Sequence, residues 1–241
     1  ANDKIIVGLI GCKGMGFLLY GRDEQKEKFL TPLTSGEAVM GSAITEPDAG
    51  SDVSAVRTTA VKEGNDYVIN GNKIFITNGT VASYFMVICL TNPHNPSRHG
   101  RHSVILLESD REGFEANKLR HKLGIRASDT AELAFKDVRV PQENLIGEEG
   151  KGFYQFMEFF NRTRIHVGAE GVGIAQGAME KAVKIFEAAR VRFPDAPAFS
   201  AERSEALKQE LRELKTIYIE NVERTWDGRP SGFAQPKEYP P

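Results

Sequence analysis

The sequence is poor in cysteine, has a single tryptophan and lacks any long apolar run. Its two cysteines, Cys12 and Cys89, are too few for a disulfide framework or a four-ligand zinc site. A bilayer-spanning helix needs about 18 consecutive apolar residues, so we expect no membrane span. The start at Ala1 lacks the layout of a signal peptide, and with so few cysteines this predicts a cytoplasmic protein.

An excess of charge of one sign is also absent. The formal net charge is −2, which gives no electrostatic case for nucleic acid or an anionic membrane as the main partner. Hydrophobic residues make up 40% and charged residues 27%, as in ordinary soluble globular proteins. At 241 residues the chain can bury a core, and its length predicts one or two domains.

Changes in residue pattern divide the chain into four blocks. These are residues 1–37, 38–147, 148–225 and 226–241. The first block contains a charged helical run at Arg22–Leu30 that we expect Pro32 to end, because proline disrupts a helix interior. The last block is rich in proline and predicts an extended tail.

The block 38–147 predicts an antiparallel β-sheet packed on itself as a sandwich or barrel, flanked by helices in an α+β fold. Asn70-Gly71 is typical of a tight hairpin, and the polar stretch 92–101 predicts an exposed loop. The predicted strands are Val56–Val61, Tyr67–Asn70, Lys73–Ile76, Tyr84–Leu90, Ser103–Leu107 and Ala131–Phe135.

The block 148–225 predicts helices. Apolar residues recur near helical spacing from Phe153 to Phe186, and Pro194 ends this pattern. Ser200 is a suitable N-cap for a last amphipathic helix with apolar residues from Leu207 to Val222.

Two further patterns have both a functional and a structural interpretation. The stretch Gly8–Gly16 is similar to the first turn of a nicotinamide-binding Rossmann domain. However, Lys13 stands where a glycine must let the backbone approach the pyrophosphate, so we favour a hydrophobic helix there. The histidines lack metal-site spacing, which predicts solvated loop histidines and no metal at His94, His99, His102 and His121.

Three segments carry most of the functional information: Ala43–Asp52, Lys73–Gly79 and Gly124–Pro141. The first two each place a hydroxyl and a turn at the end of a β-rich run. In order and spacing, the three segments resemble the acyl-CoA dehydrogenase family, and the resemblance extends from about Tyr20 to about Val183. Residues 1–37 would then be a remnant of the family's N-terminal helical domain.

The resemblance implies an FAD site. Thr45 and Thr77, each an ordinary strand-end hydroxyl when taken alone, would meet the polar edge of the flavin. Phe75 stands where most relatives carry tryptophan, and it keeps the flat aromatic face without the indole N–H. The implied cofactor-binding residues are Ile44, Thr45, Ser51, Phe75, Ile76 and Thr77.

The resemblance also implies contacts with an acyl-CoA substrate, at Ser51, Asn161 and Arg164. The family's reaction needs a carboxylate base. In some relatives this base immediately precedes the arginine matched by Arg164, where this chain has Thr163, so the catalytic residue stays unassigned. This pattern fits a central fragment, a degenerate member or a joined sequence.

The expected function is FAD-dependent α,β-dehydrogenation of an acyl-CoA thioester to a 2-enoyl-CoA by a homo-oligomer. By the same resemblance, electrons would pass to a separate carrier such as an electron-transfer flavoprotein. The alternative is a non-catalytic relative that binds flavin or acyl-CoA but lacks the base. A third hypothesis, a nicotinamide-dependent oxidoreductase fragment, depends on Gly8–Gly16 alone.

Overall fold

The computed structural model describes residues 20–192 and eight helical residues between 202 and 216. It divides into two compact units, one ending at Phe160 and the other beginning at Asn161. The predictions for Gly8–Gly16, for the cap at Ser200 and for the tail 226–241 lie outside the described residues. The predicted domain boundaries stay predictions.

The charged run near the start of the described chain is helical but does not end at Pro32. It comprises α1 (Asp23–Gln25), a π-helical turn (Lys26–Leu30) and α2 (Thr31–Ser35). In a regular α-helix the Pro32 ring would clash with the carbonyl four residues earlier, and the wider π-helical turn lies where that clash would occur. The predicted stop was wrong for this reason.

In the part of the chain that the structure describes, eight strands form one mixed sheet in the order β6-β7-β3-β2-β4-β5-β8, with β1 beside β4. The strands are β1 (Met40–Ala43), β2 (Thr59–Glu63), β3 (Asp66–Thr77), β4 (Tyr84–Leu90), β5 (His102–Glu108), β6 (Phe114–Lys118), β7 (Thr130–Pro141) and β8 (Leu145–Ile146). Short 3₁₀ turns occupy Val53–Ala55, Arg98–Gly100 and Gln142–Asn144. Five strand pairs are antiparallel, whereas β1 and β2 each run parallel to β4.

Strands β4 and β5 are buried on both faces, which explains why they appear in the sequence as continuous apolar runs. One face packs against β3 and β7, through Phe85, Val87, Ile105 and Leu107. The other face packs against the helices, through Met86, Ile88, Val104 and Leu106 with Phe29, Leu33 and Phe156. The predicted α+β fold, a sheet packed on itself and flanked by helices, is confirmed.

The predicted hairpin at Asn70-Gly71 was wrong, because both residues lie inside the single strand β3. Gly71 has φ +147°, and a Cβ there would come within 2.5 Å of the Thr58 hydroxyl, so glycine is required for close approach rather than for a turn. The hairpin turn between β2 and β3 lies instead at Gly64-Asn65, with Gly64 at φ +61°.

The predicted helix after Gly150 is present as α3 (Gly152–Arg192). Within the first unit, its first turns bury Phe156 and Gln155 beside the sheet. No helix in the described part of the chain has the length and apolarity needed to cross a membrane.

Candidate functional site

The end of β1 and the second half of β3 bring the first two motifs together. The backbone N–H of Ile74 donates to the carbonyl oxygen of Thr45 at 2.8 Å. The Lys73 ammonium donates to the carbonyl oxygen of Ile44 at 3.0 Å. Two consecutive residues of β3 thus hold two consecutive residues that follow β1.

A buried ion pair reinforces this junction. Lys73 Nζ lies 2.9 Å from Glu46 Oε1, and the two side chains are 0% and 7% exposed. Lys73 also donates to the carbonyl oxygen of Ile88 at 2.9 Å. Because an ammonium has three N–H donors, all of those on Lys73 are used.

Burial affects the pKa values of both side chains of the pair. Burial raises the pKa of the Glu46 carboxyl, but the Lys73 charge and the hydrogen bonds that the carboxylate accepts outweigh this effect and lower the pKa overall. Burial lowers the pKa of Lys73, and the Glu46 carboxylate opposes that shift. The carboxylate is therefore strongly held in its charged form at neutral pH.

Glu46 also closes the loop that carries Ser51. Its backbone pairs with Ala49, and its carboxylate accepts from the N–H groups of Arg57 at 2.7 Å and Thr58 at 2.9 Å. Hydrogen bonds to Glu46 thus hold both ends of the loop. Ser51 itself is exposed near the middle of the loop.

A β-bulge in β3 determines where Phe75 points. Between the pairs Lys73–Leu133 and Ile76–Ala131, β3 advances three residues while β7 advances two. Phe75 in this bulge has φ +60° and is 64% exposed. A left-handed backbone at a bulky residue is uncommon and marks a constrained position that often has a function.

Because of the bulge, the side chains of Ile76 and Thr77 lie on the opposite faces of β3 from those that regular alternation would give. Ile76 is 2% exposed and packs in the core, so only its backbone can face a ligand at this surface. Thr77, the last residue of β3, is exposed. The structure therefore presents Phe75 and Thr77 at the surface and buries the side chain between them.

The third motif supports the turn that follows Thr77. The carbonyl oxygen of Asp129 accepts from the N–H of Asn78 at 3.0 Å. The Asp129 carboxylate accepts from the N–H and hydroxyl of Thr80 at 2.8 and 2.9 Å. These bonds tie the third motif to the second.

The remaining predicted site residues lie on α3. Asn161 is half-buried and Arg164 is exposed, and both belong to the second unit. Their role with a substrate stays a prediction.

One of the histidines predicted to be solvated in a loop, His102, was predicted wrongly. His102 is 1% exposed in β5, with Nε2 3.0 Å from the Val56 carbonyl oxygen. Burial lowers the pKa of His102. His99 stacks on Phe153 with ring centroids 4.1 Å apart. The spacing of the histidines could not reveal the burial of His102, which follows from its place in β5.

Sequence reasoning missed the roles of Glu46 and Lys73, although both residues lie inside the recognised motifs. One signal was present for Lys73. Residues alternate in facing along a strand, and Lys73 follows the buried residues Tyr67 and Ile69 at even spacing. A lysine on a buried face requires a partner, which pointed to a nearby carboxylate.

Comparison with known proteins supports the interpretation of these motifs. Residues 41–138 match the family model described as "Acyl-CoA dehydrogenase, middle domain". The short-chain specific acyl-CoA dehydrogenase of Clostridium acetobutylicum is 47% identical over 163 residues, which are 68% of this chain and 42% of that protein. The chain spans less than half the length of the curated relatives that it matches, 42–46% in three of them.

Solved structures agree with the sequence comparison. Butyryl-CoA dehydrogenase from Megasphaera elsdenii superposes with a TM-score of 0.81 at 31% identity, covering 95% of this chain and 61% of that chain. A glutaryl-CoA dehydrogenase from Mycobacterium smegmatis in complex with FADH2 superposes with a TM-score of 0.74 at 26% identity, covering 87% of this chain and 53% of that one. Residues 41–138 of this chain are therefore a middle domain of the acyl-CoA dehydrogenase family.

Proposed function

We propose that this chain is part of an acyl-CoA dehydrogenase-type flavoprotein, which catalyses FAD-dependent α,β-dehydrogenation of an acyl-CoA thioester to a 2-enoyl-CoA. The observation that carries the proposal is Phe75, an aromatic side chain that is 64% exposed on a left-handed backbone at a β-bulge. An exposed, flat apolar face costs free energy in water and suits a planar ring system.

The surrounding residues fit a flavin. Thr77 is exposed at the end of the same strand, and half-buried Thr45 is joined to that strand through Ile74. Hydroxyl and backbone N–H groups at strand ends can serve the polar edge of the ring, while Phe75 offers an apolar face. Ile44 and Ile76 would contribute through their backbones and by packing beneath the site, since Ile76 is buried.

Bound FAD would supply the redox chemistry by accepting a hydride equivalent from the β carbon of the acyl group. Ser51, exposed on the loop that Glu46 closes, would bind the thioester or pantetheine part of the acyl-CoA. Arg164 and Asn161 on α3 would bind the substrate from the helical segment. These side chains would bind and orient the acyl-CoA substrate. None of them is assigned as the carboxylate base.

We further propose that the active protein is a homo-oligomer that passes electrons to a separate carrier such as an electron-transfer flavoprotein. Exposed apolar residues along α3 support an assembly that covers them: Val167, Ile174, Ile185, Phe186 and Val191. The family resemblance is the support for the carrier.

A second candidate is a non-catalytic relative that binds flavin or acyl-CoA. It is favoured by Thr163, whose hydroxyl cannot act as a base at the position where some relatives carry one.

The test is a visible absorption spectrum of the full chain reconstituted with FAD, before and after anaerobic addition of acyl-CoAs of several chain lengths. Flavin bands that bleach support the enzyme, with its base among residues not yet assigned. Bands that persist support the non-catalytic binder. Failure to retain any flavin at micromolar protein would contradict the enzyme and would leave only a relative that binds acyl-CoA without flavin.

A further inference from the structure

We propose that Lys73 and Glu46 are positioning residues, which hold the two candidate flavin-binding segments in register and fix the bulge that presents Phe75. This inference rests on the proposed function. Neither side chain can touch a ligand at the surface, because they are 0% and 7% exposed. They would act through the backbone that they hold.

The hydrogen-bond partners of the two segments follow one another residue by residue. Lys73 and Ile74, consecutive in β3, donate to the carbonyl oxygens of Ile44 and Thr45, which are consecutive after β1. The next residue, Glu46, then accepts from Lys73. Three residues of one segment are therefore held by two of the other, and a slip by one residue would break every bond in the set.

The bulge in β3 lies next to the residue that the ion pair anchors. Regular pairing with β7 ends at Lys73 and resumes at Ile76, so the bulge begins immediately after the anchored residue. A left-handed backbone is unfavourable at a bulky residue such as Phe75 and persists only where neighbouring contacts determine it. The bonds of Lys73 and Ile74 to the first segment are contacts of that kind.

The Lys73–Glu46 ion pair specifies a geometry more than it stabilises the fold. Replacing a buried ion pair by apolar side chains of similar volume is often neutral or stabilising, so stability alone does not account for this pair. An ammonium with three fixed acceptors, by contrast, specifies a single geometry. The Glu46 carboxylate also accepts hydrogen bonds from the N–H groups of Arg57 and Thr58, so the pair fixes the Ser51 loop as well.

The test compares Lys73→Met and Glu46→Gln with the parent chain. Either single change leaves one buried charge without its counter-charge, so the double variant Lys73→Met/Glu46→Gln is measured as well and takes the place of a single variant that does not fold. Two quantities are measured well below the unfolding temperature: the FAD dissociation constant, and the hydrogen-exchange rate of the Ile74 amide in the flavin-free chain. We expect each variant to raise the dissociation constant about tenfold or more and to accelerate Ile74 exchange.

Val140→Ala is the matched control. Val140 is fully buried and pairs with Tyr67, away from both segments, so the variant lowers global stability without touching them. We expect unchanged flavin affinity and unchanged local exchange at Ile74. If Lys73→Met or Glu46→Gln behaves as Val140→Ala does at equal global stability, the pair is merely structural and the inference is overturned.

The flavin-free measurement separates this inference from the proposed function. A parent chain that binds no FAD contradicts the proposed function, and the exchange rate of Ile74 still decides whether the pair fixes the segments. A parent that binds FAD, with variants that bind it equally well, contradicts the positioning role alone.

Discussion

The N–H of Ile74 donates to the carbonyl oxygen of Thr45 at 2.8 Å, and with the bonds that Lys73 donates to Ile44 and Glu46 it joins two motifs that are separate in the sequence. Substitutions in the two motifs therefore act on a shared structure. We expect their effects on ligand affinity to be non-additive, as is usual for residues in one hydrogen-bond network.

Phe75→Gly separates ligand binding from stability. Glycine adopts φ +60° without strain, so we expect the free energy of unfolding to change by less than ~1 kcal/mol or to rise. Flavin affinity falls, because the aromatic face is lost. Urea unfolding and a flavin titration measure the two effects.

Val61→Gly is the control for this prediction, since Val61 is another exposed apolar strand residue, at 56% exposure, with ordinary backbone geometry. There we expect a loss of roughly 0.5–1 kcal/mol in stability and no change in flavin affinity. A Phe75→Gly variant that retained full flavin affinity would remove Phe75 from the site.

Thr77→Val tests the hydroxyl at the end of β3. The side chains are similar in shape and the residue is exposed, so stability should change by less than ~0.5 kcal/mol. One lost hydrogen bond of about 1 kcal/mol lowers flavin affinity roughly fivefold. Thr59→Val in β2 is the control, and equal flavin content in the two purified variants would argue against a role for Thr77.

Arg164→Ala tests the predicted substrate contact on α3. Arg164 is exposed, and we expect the fold to survive its removal while acyl-CoA affinity falls. Isothermal titration calorimetry with an acyl-CoA measures the change. Arg139→Ala, which removes an exposed ion pair with Glu63, is the control, and the same affinity in both variants would return Arg164 to a structural role.

Glu108 gives the fold a defined dependence on pH. Burial of this carboxyl opposes ionisation, but hydrogen bonds and ion pairs with Arg111 at 2.6 Å and Lys28 at 3.0 Å lower its pKa to about 2. A pKa below the unfolded value means that the stabilisation is present above about pH 4.5 and is lost as the pH falls towards 2.

We therefore expect Glu108→Gln to lower the free energy of unfolding at pH 7 by roughly 2–3 kcal/mol and to flatten its decline between about pH 5 and pH 2. Urea denaturation across this pH range provides the measurement. Glu63→Gln, at an exposed ion pair, should cost less than ~1 kcal/mol. An unchanged slope in Glu108→Gln would show that other carboxyl groups dominate acid unfolding.

The sequence by itself determined the class of fold and the three motifs. Runs of β-branched and aromatic residues specified the buried strands β4 and β5, and helical spacing specified α3, because these patterns reflect local geometry and burial. The short strands β1, β6 and β8 were not predicted, because they depend on partners distant in the sequence rather than on their own composition.

Tertiary structure alone decided which side chains of the second motif reach the surface. Simple alternation from Tyr67, Ile69 and Lys73 would have turned Phe75 and Thr77 inward. The bulge against β7 adds one residue and reverses the facing, so that Ile76 enters the core. No local preference predicts a bulge at a bulky residue, because its strain is offset by contacts that exist only once β1, β3 and β7 are assembled.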